Sequence, residues 1–283
     1  MHALDERQAA GLARHKIAVV KAPDTFVAGE ESAVVRRIEG ERALPRDRTV
    51  ITAISGVRGR PTLVNNVETL AHIALIARFG PAWFRSVGDQ DDPGSMLVTL
   101  SGALASHSVM EVPTGVLLTD LIGRDGAADP HTLRAVLIGG YHGSWIPASE
   151  LDGARMSRAG LQSLGASPGA GIIHALDSNE CGLARTADIA AYLADQSARQ
   201  CGPCRNGLPR LAQLLDDLAY SRVNDVLLKE IRRMVRLIDG RGSCRHPDGT
   251  ARLIRSALDT FATDVEHHRH RRCEAAEVAA EWT

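Results

Sequence analysis

Ser197-Ala198-Arg199-Gln200-Cys201-Gly202-Pro203-Cys204-Arg205, followed further on by Gly240-Arg241-Gly242-Ser243-Cys244, decides how the second half of this chain is read. Thiolates are soft ligands that suit iron-sulfur clusters or zinc, and a Cys-x-x-Cys turn brings two sulfurs to one metal. Around both pieces apolar residues recur at helical spacing. Ile189, Tyr192 and Leu193 precede them; Leu208, Leu211 and Leu215, then Val223, Leu227, Ile231, Met234 and Ile238 lie between; Leu253, Ile254, Ala257, Leu258, Phe261 and Val265 follow. These lengths and short connections predict four helices in antiparallel succession. The cysteines fall at helix junctions, where Gly and Pro expose backbone N–H groups that can bond cluster sulfur.

Towards the N-terminus the period changes. Met96, Val98 and Leu100 alternate, and Val109-Met110-Glu111-Val112 runs up to Pro113, so a strand pair is predicted. Leu117 to Ile122 reads as a short helix, and Leu133 to Ile138 and Gly171 to Leu176 as further strands. Earlier still, residues 3 to 15 predict an amphipathic helix, Ile17-Ala18-Val19-Val20 a short buried strand, and Thr25-Phe26-Val27 a second. Gly29-Glu30-Glu31-Ser32 opens a helix through Val34, Val35 and Ile38, ending at Gly40. Residues 41 to 61, rich in Arg, Pro and Gly, predict a long loop. Asn65 is expected to cap the next helix, with Glu68 completing a capping box and Val67, Leu70, Ile73, Ala74 and Ala77 on its apolar face. The pattern as a whole is α+β.

Composition narrows the function classes. Among 283 residues, 33 Lys+Arg face 34 Asp+Glu for a net charge of -1, which offers no basic field to nucleic acid. No apolar run approaches the roughly 20 residues of a membrane span, so no direct membrane insertion is expected. Hydrophobic content of 44% and charged content of 24% are those of a folded globular chain rather than a disordered one. Five cysteines, Cys181, Cys201, Cys204, Cys244 and Cys273, are too few for a disulfide scaffold and argue for thiol chemistry. The opening Met1-His2-Ala3-Leu4-Asp5-Glu6-Arg7 has no apolar segment behind a basic cap, so a cytoplasmic location is expected, peripheral to a membrane complex where the chain joins one.

Four stretches carry a family resemblance. Ser197 to Arg205 with Cys244 is similar to a Ser-Cys-x-x-Cys-x-x-Cys-Arg stretch with a distant fourth cysteine. Phe26-Val27-Ala28-Gly29-Glu30-Glu31-Ser32-Ala33 is similar to Tyr-x-x-Gly-Glu-Glu-Thr-Ala. Gly59-Arg60-Pro61-Thr62-Leu63-Val64-Asn65-Asn66-Val67-Glu68-Thr69-Leu70 closely matches Gly-Arg-Pro-Thr-x-Val-Asn-Asn-Val-Glu-Thr-Leu. Ile138-Gly139-Gly140-Tyr141-His142-Gly143-Ser144-Trp145 marks the middle unit. The chain thus resembles the NADH-binding flavoprotein subunit (51 kDa-type, F) of respiratory complex I and its relatives in NAD-linked hydrogenases and formate dehydrogenases.

The resemblance implies an arrangement. Residues 1–88 would be the C-terminal part of an α/β flavin domain, 89–150 a β-grasp, SLBB-like domain, 151–180 a connecting segment with one strand, 181–270 a four-helix iron-sulfur bundle and 271–283 a tail. Cys201, Cys204 and Cys244 would ligate the cluster. Ala198 stands where the family has its first cysteine, so three ligands carry over. Three thiolates can hold a [3Fe-4S] cluster, or a [4Fe-4S] cluster completed by another group, and His246 is the nearest substitute along the sequence. Gly29, Glu30, Glu31, Asn65, Asn66 and Thr69 would lie at the flavin and nicotinamide cavity.

The family's Gly-rich flavin-phosphate loop has no counterpart here, which makes FMN and NAD doubtful as cofactors and NADH oxidation by this chain alone unexpected. The expected partners are other redox subunits or a missing N-terminal half of the flavin domain, and the chain is not expected to be a complete enzyme by itself. Two alternatives stay open: a Cys3His zinc site on Cys201, Cys204, Cys244 and His246, and a metal-free scaffold. Cys181 ranks below the other thiols. His267-His268-Arg269-His270-Arg271-Arg272-Cys273 has the residues to bind metal, but reads first as a solvated basic helix end with a tail thiol.

Overall fold

The computed structural model describes residues 2–13, 15–47, 50–220, 223–273 and 275. The chain divides into two compact units, residues 1–64 and 65–283.

In the first unit, α1 (His2–Ala9) buries none of its residues, and the amphipathic helix expected to reach residue 15 ends early. The strand expected at Ile17 to Val20 is absent, and Ile17, Val19 and Val20 are exposed. Thr25-Phe26-Val27 is not a strand either, because Phe26–Gly29 forms a single 3-10 turn. A strand needs a partner for its backbone groups, and none exists among the described residues of this unit. The apolar run is therefore a composition signal without a ladder to join. Helix α2 (Glu31–Ile38) forms where expected. Glu30 is its N-cap, accepting from the Ser32 N–H at 2.9 Å and the Ala33 N–H at 3.2 Å. Val27, Ala28, Ala33, Val35 and Ala43 make the small core.

The second unit begins with α3 (Val67–Phe79) and the single turn α4 (Pro81–Phe84). The α3 cap is Asn66, not Asn65: its Oδ1 accepts from the Thr69 N–H at 2.7 Å. Glu68 closes no capping box, because its carboxylate accepts from the Leu97 N–H at 2.7 Å. The apolar residues of α3, expected to be core, are all at least partly exposed.

Five strands follow: β1 (Ser95–Gly102), β2 (Ser108–Pro113), β3 (Leu133–Ile138), β4 (Ser144–Pro147) and β5 (Ile172–Asp177). Two short helices, α5 (Leu118–Asp120) and α6 (Arg158–Gln162), lie in the connections. The sheet order is β2-β1-β5-β3-β4, with β1 and β5 parallel and every other pair antiparallel. The last strand, expected in a connecting segment, thus occupies the middle of the sheet.

Side chains alternate across a strand, and β3 shows what that does here. Val136 and Ile138 join Val98, Leu100, Ile146, Ile173 and Met156 in one core, while Ala135 and Leu137 join Trp145 and Leu176 in another. The second core is shared with the helices α7 (Gly182–Asp195), α8 (Leu208–Tyr220), α9 (Asp225–Ile238), α10 (His246–Thr260) and α11 (Ala262–Arg269). Helix α8 packs on α7 and α9, and α10 packs on α7, α9 and strand β4. The apolar residues foreseen at helical spacing are buried in this core, except Tyr192, which is exposed, and Val223, which is partly buried. No helix among the described residues is long and apolar enough to cross a membrane.

Candidate metal centre

Cys201 and Cys204 sit where α7 has ended and α8 has not begun. Pro203–Gly207 forms one wide π-type turn that leads into α8, and Cys204 is buried within it while Cys201 is half-buried. Cys244 is buried in the loop between α9 and α10. The fold brings these separated pieces together. The Ser243 N–H and hydroxyl, the Cys204 N–H and the Cys204 thiol all donate to the Cys201 sulfur. Burial alone would raise the Cys201 thiol, yet these donors hold it below the ordinary value. Burial, the Cys201 charge beside it and the Cys244 charge push Cys204 up to about 12. Against that, the Arg199 N–H donates to the Cys204 sulfur. Arg199 lies in the left-handed region at φ 53, which turns its amide toward the cysteine.

The result is three cysteine sulfurs in one buried pocket lined with backbone N–H groups. Three charges cannot coexist there unaided. A cation or a cationic cluster would remove the penalty, since a coordinating thiol is deprotonated outright. The donor set therefore fits a soft metal group.

The spacing separates two kinds of metal group. Zinc ligand atoms stand about 2.0–2.3 Å from the ion, so no two of them exceed about 4.6 Å. Cys201, Cys204 and Cys244 do not form a set whose ligand atoms all lie within 4.8 Å of one another.

His246, expected as a fourth ligand, is buried at the start of α10 with its ring committed elsewhere. Its Nε2 lies 2.8 Å from the Leu193 carbonyl oxygen, which can only accept. Nε2 therefore carries the proton, and Nδ1 accepts from His142 Nε2 at 3.1 Å. Burial lowers both imidazoles and takes His142 to about 3, so the pair is neutral. Neither nitrogen of His246 has a lone pair to spare for a metal. Ser197, one residue before Ala198, instead carries a buried Oγ without a partner.

Gly207 closes the approach of the two halves. A Cβ there would collide with Ile238 Cγ2 at the end of α9, just before the loop that carries Cys244. Gly207→Ala should destabilise the chain by about 2 kcal/mol through overpacking. Ile238→Ala removes the clashing methyl but opens a cavity of its own, so Gly207→Ala should cost less in an Ile238→Ala background than in the parent, as read from thermal unfolding of the two single variants and the double.

The other expected site residues divide between the two units. Gly29, Glu30 and Glu31 lie at the start of α2, and Asn65, Asn66 and Thr69 at the start of α3, in the other unit. The Glu30 carboxylate and Asn66 Oδ1 are engaged in capping their own helices. A Cβ on Gly29 would meet nothing within 4 Å, so no close cradle forms there. These local contacts are those of helix N-termini, and no flavin contact is derived from them. Sequence reasoning missed the amides of Ser243 and Arg199. The one available signal was glycine around Cys244; a left-handed arginine leaves none.

Comparison with known proteins places the chain among NADH-oxidoreductase-like sequences. Residues 184–268 match the family model of the NADH-ubiquinone oxidoreductase-F iron-sulfur binding region, and residues 1–75 match that of the Nuo51 FMN-binding domain. The expectation that FMN is doubtful thus gains no support. The chain is 32% identical over 251 residues to an F-type NADH-quinone oxidoreductase subunit of Rhizobium meliloti, covering 88% of this chain and 59% of that protein. It is 32% identical over 244 residues to the F-type subunit of the same oxidoreductase in Streptomyces coelicolor, covering 86% of this chain and 54% of that one. An NAD+-reducing [NiFe]-hydrogenase in its H2-reduced state superposes with a TM-score of 0.82 at 28% identity, over 94% of this chain and 46% of the hydrogenase chain. The chain spans about half the length of the curated relatives it matches.

Proposed function

Because the chain is an F-type member of the NADH-quinone oxidoreductase family, we propose that it is an iron-sulfur electron-transfer module whose cluster is held by Cys201, Cys204 and Cys244. The observation that carries this reading is the convergence of three thiols under backbone N–H groups from Arg199, Cys204 and Ser243. When bound, the cluster supplies one-electron transfer. The protein supplies the rest. Its buried turn excludes water, its amides bond the sulfurs and raise the potential, and its helices fix the distance to a partner. At least one pair of these sulfurs stands too far apart for a single zinc ion on all three, which favours a group with several irons, and the engaged ring of His246 weighs against the Cys3His alternative.

In this reading α7 to α10 are the cluster-bearing bundle, and the sheet is a β-grasp, SLBB-like domain, a topology that the order β2-β1-β5-β3-β4 with parallel β1 and β5 supports. Residues 1–75 contribute to an FMN site that needs further protein to close it, with Gly29, Glu30, Glu31, Asn65, Asn66 and Thr69 on its wall. NADH oxidation belongs to the assembly rather than to this chain alone, and the partners are other redox subunits.

Anaerobic purification with iron and acid-labile sulfide analysis tests the reading. Near-stoichiometric sulfide and a broad visible absorption, both lost in Cys204→Ala, are expected. Zinc without sulfide, lost in that same variant, would reject it.

A further inference from the structure

Cys181, His268 and Cys273 lie far apart in sequence, yet their ligand atoms all fall within 4.8 Å of one another, and no other such group of histidine, cysteine or carboxylate side chains occurs among the described residues. We propose that these three side chains form a second, mononuclear site for a divalent zinc-type cation, separate from Cys201, Cys204 and Cys244. Three ligand atoms at this mutual spacing fit a four-coordinate site with one position left for an exogenous ligand.

Two of the ligands are placed by the helices that carry them. Cys181 is the N-cap of α7, and its side chain makes no capping bond to that helix. His268 stands in the last turn of α11, and its Nδ1 lies 3.1 Å from the Leu218 carbonyl oxygen. That carbonyl can only accept, so Nδ1 carries the proton and Nε2 keeps its lone pair. Nε2 is the atom 3.6 Å from Cys181 Sγ. A ring nitrogen held by a backbone carbonyl, with the other nitrogen turned to a sulfur, is the arrangement that orients metal-bound histidines. It contrasts with His246, where both nitrogens are spent.

Arg134 on β3 secures the two halves. It donates to the Ser178 carbonyl at 3.3 Å, in the turn before Cys181, and it pairs with Asp264 on α11. The three ligands line a cavity of about 460 Å³ together with Tyr220, Arg271 and Arg272, roomy enough for a water or a small anion as fourth ligand. Binding costs two thiol protons, released to solvent, and the cation's charge balances the two thiolates. No oxidant is required.

Cobalt(II) provides the readout, because thiolate ligation gives an intense charge-transfer absorption that zinc bleaches on displacement. The full chain, purified under reducing conditions and freed of loosely held metal, should take one equivalent of cobalt with this band. The band should vanish in Cys181→Ser and in Cys273→Ser and bind at least tenfold more weakly in His268→Ala, yet persist in Cys204→Ala. Cys273 is half-buried just after α11, so an unchanged far-UV spectrum and unfolding midpoint of Cys273→Ser will show that its loss of the band is not misfolding. A band that survives Cys273→Ser, one that disappears in Cys204→Ala, or no cobalt uptake would overturn the proposal. So would a Cys181–Cys273 disulfide found by mass spectrometry in the reduced protein. Iron and sulfide content should be unchanged in Cys181→Ser, which keeps this result separate from the fate of the cluster.

Discussion

Asp264→Ala should destabilise the protein by about 3–5 kcal/mol, the cost of leaving a buried charge without its partner. Asp264 and Arg134 have side-chain exposures of 4% and 14%, and the pair is doubly bonded, with Arg134 Nε also 3.2 Å from Asp264 Oδ2. The bond spans 130 residues and ties α11 to the sheet. Removing only the acid takes its doubly bonded carboxylate from a guanidinium held in a desolvated cleft, and the Ser178 carbonyl that Arg134 also contacts is a neutral acceptor. Removing both charges should cost far less, since an apolar pair of similar volume avoids the desolvation penalty. Urea unfolding of Asp264→Ala, Arg134→Leu and Arg134→Leu/Asp264→Leu completes the cycle. A loss below about 1 kcal/mol in the single variant would place the pair with ordinary surface ion pairs and refute the argument.

That contact also illustrates what a sequence conceals. The helical half was legible because its signal is periodic and local: a stripe such as Leu227, Ile231, Met234 and Ile238 needs only a neighbouring stripe to bury it. The same logic failed at Ile17 to Val20, because a strand needs a ladder and no partner strand lies among the described residues of its unit. It failed by one residue at Asn65, since both asparagines satisfy the cap rule and only the backbone path selects Asn66. Cys201 and Cys204 could be grouped from the Cys-x-x-Cys spacing, whereas Cys244 joined them through the family resemblance. Proximity in sequence misled at His246, two residues past Cys244, because its ring faces Leu193 and His142 instead. The tail from His267 to Cys273 carried a metal-binding signal, but its partnership with Cys181 had none, because tertiary packing alone brings the start of α7 to the end of α11. A basic, histidine-rich helix end looks the same whether or not a thiol waits beside it.

Ala198→Cys should change the kind of cluster the chain holds. Three thiolates leave one corner of a four-iron cube without a protein ligand, the corner most readily lost to give a three-iron form. Ala198 is half-buried, and the next residue, Arg199, already turns its amide to the Cys204 sulfur from a left-handed conformation at φ 53. A sulfur at position 198 would thus issue from the same tight turn that serves Cys204, without a new backbone path. The expected result is a rise in iron per chain toward the four-iron ratio. The paramagnetic signal should move from the oxidised protein, where a three-iron cluster carries it, to the reduced protein, where a four-iron cluster does. Ala198→Ser is the control for volume and polarity, and it also asks whether the unpartnered Ser197 hydroxyl has already taken the open corner. If Ala198→Cys leaves both the iron ratio and the redox state of the signal unchanged, the fourth corner is closed by something other than this turn. The path through Arg199 then serves only to hold Cys204.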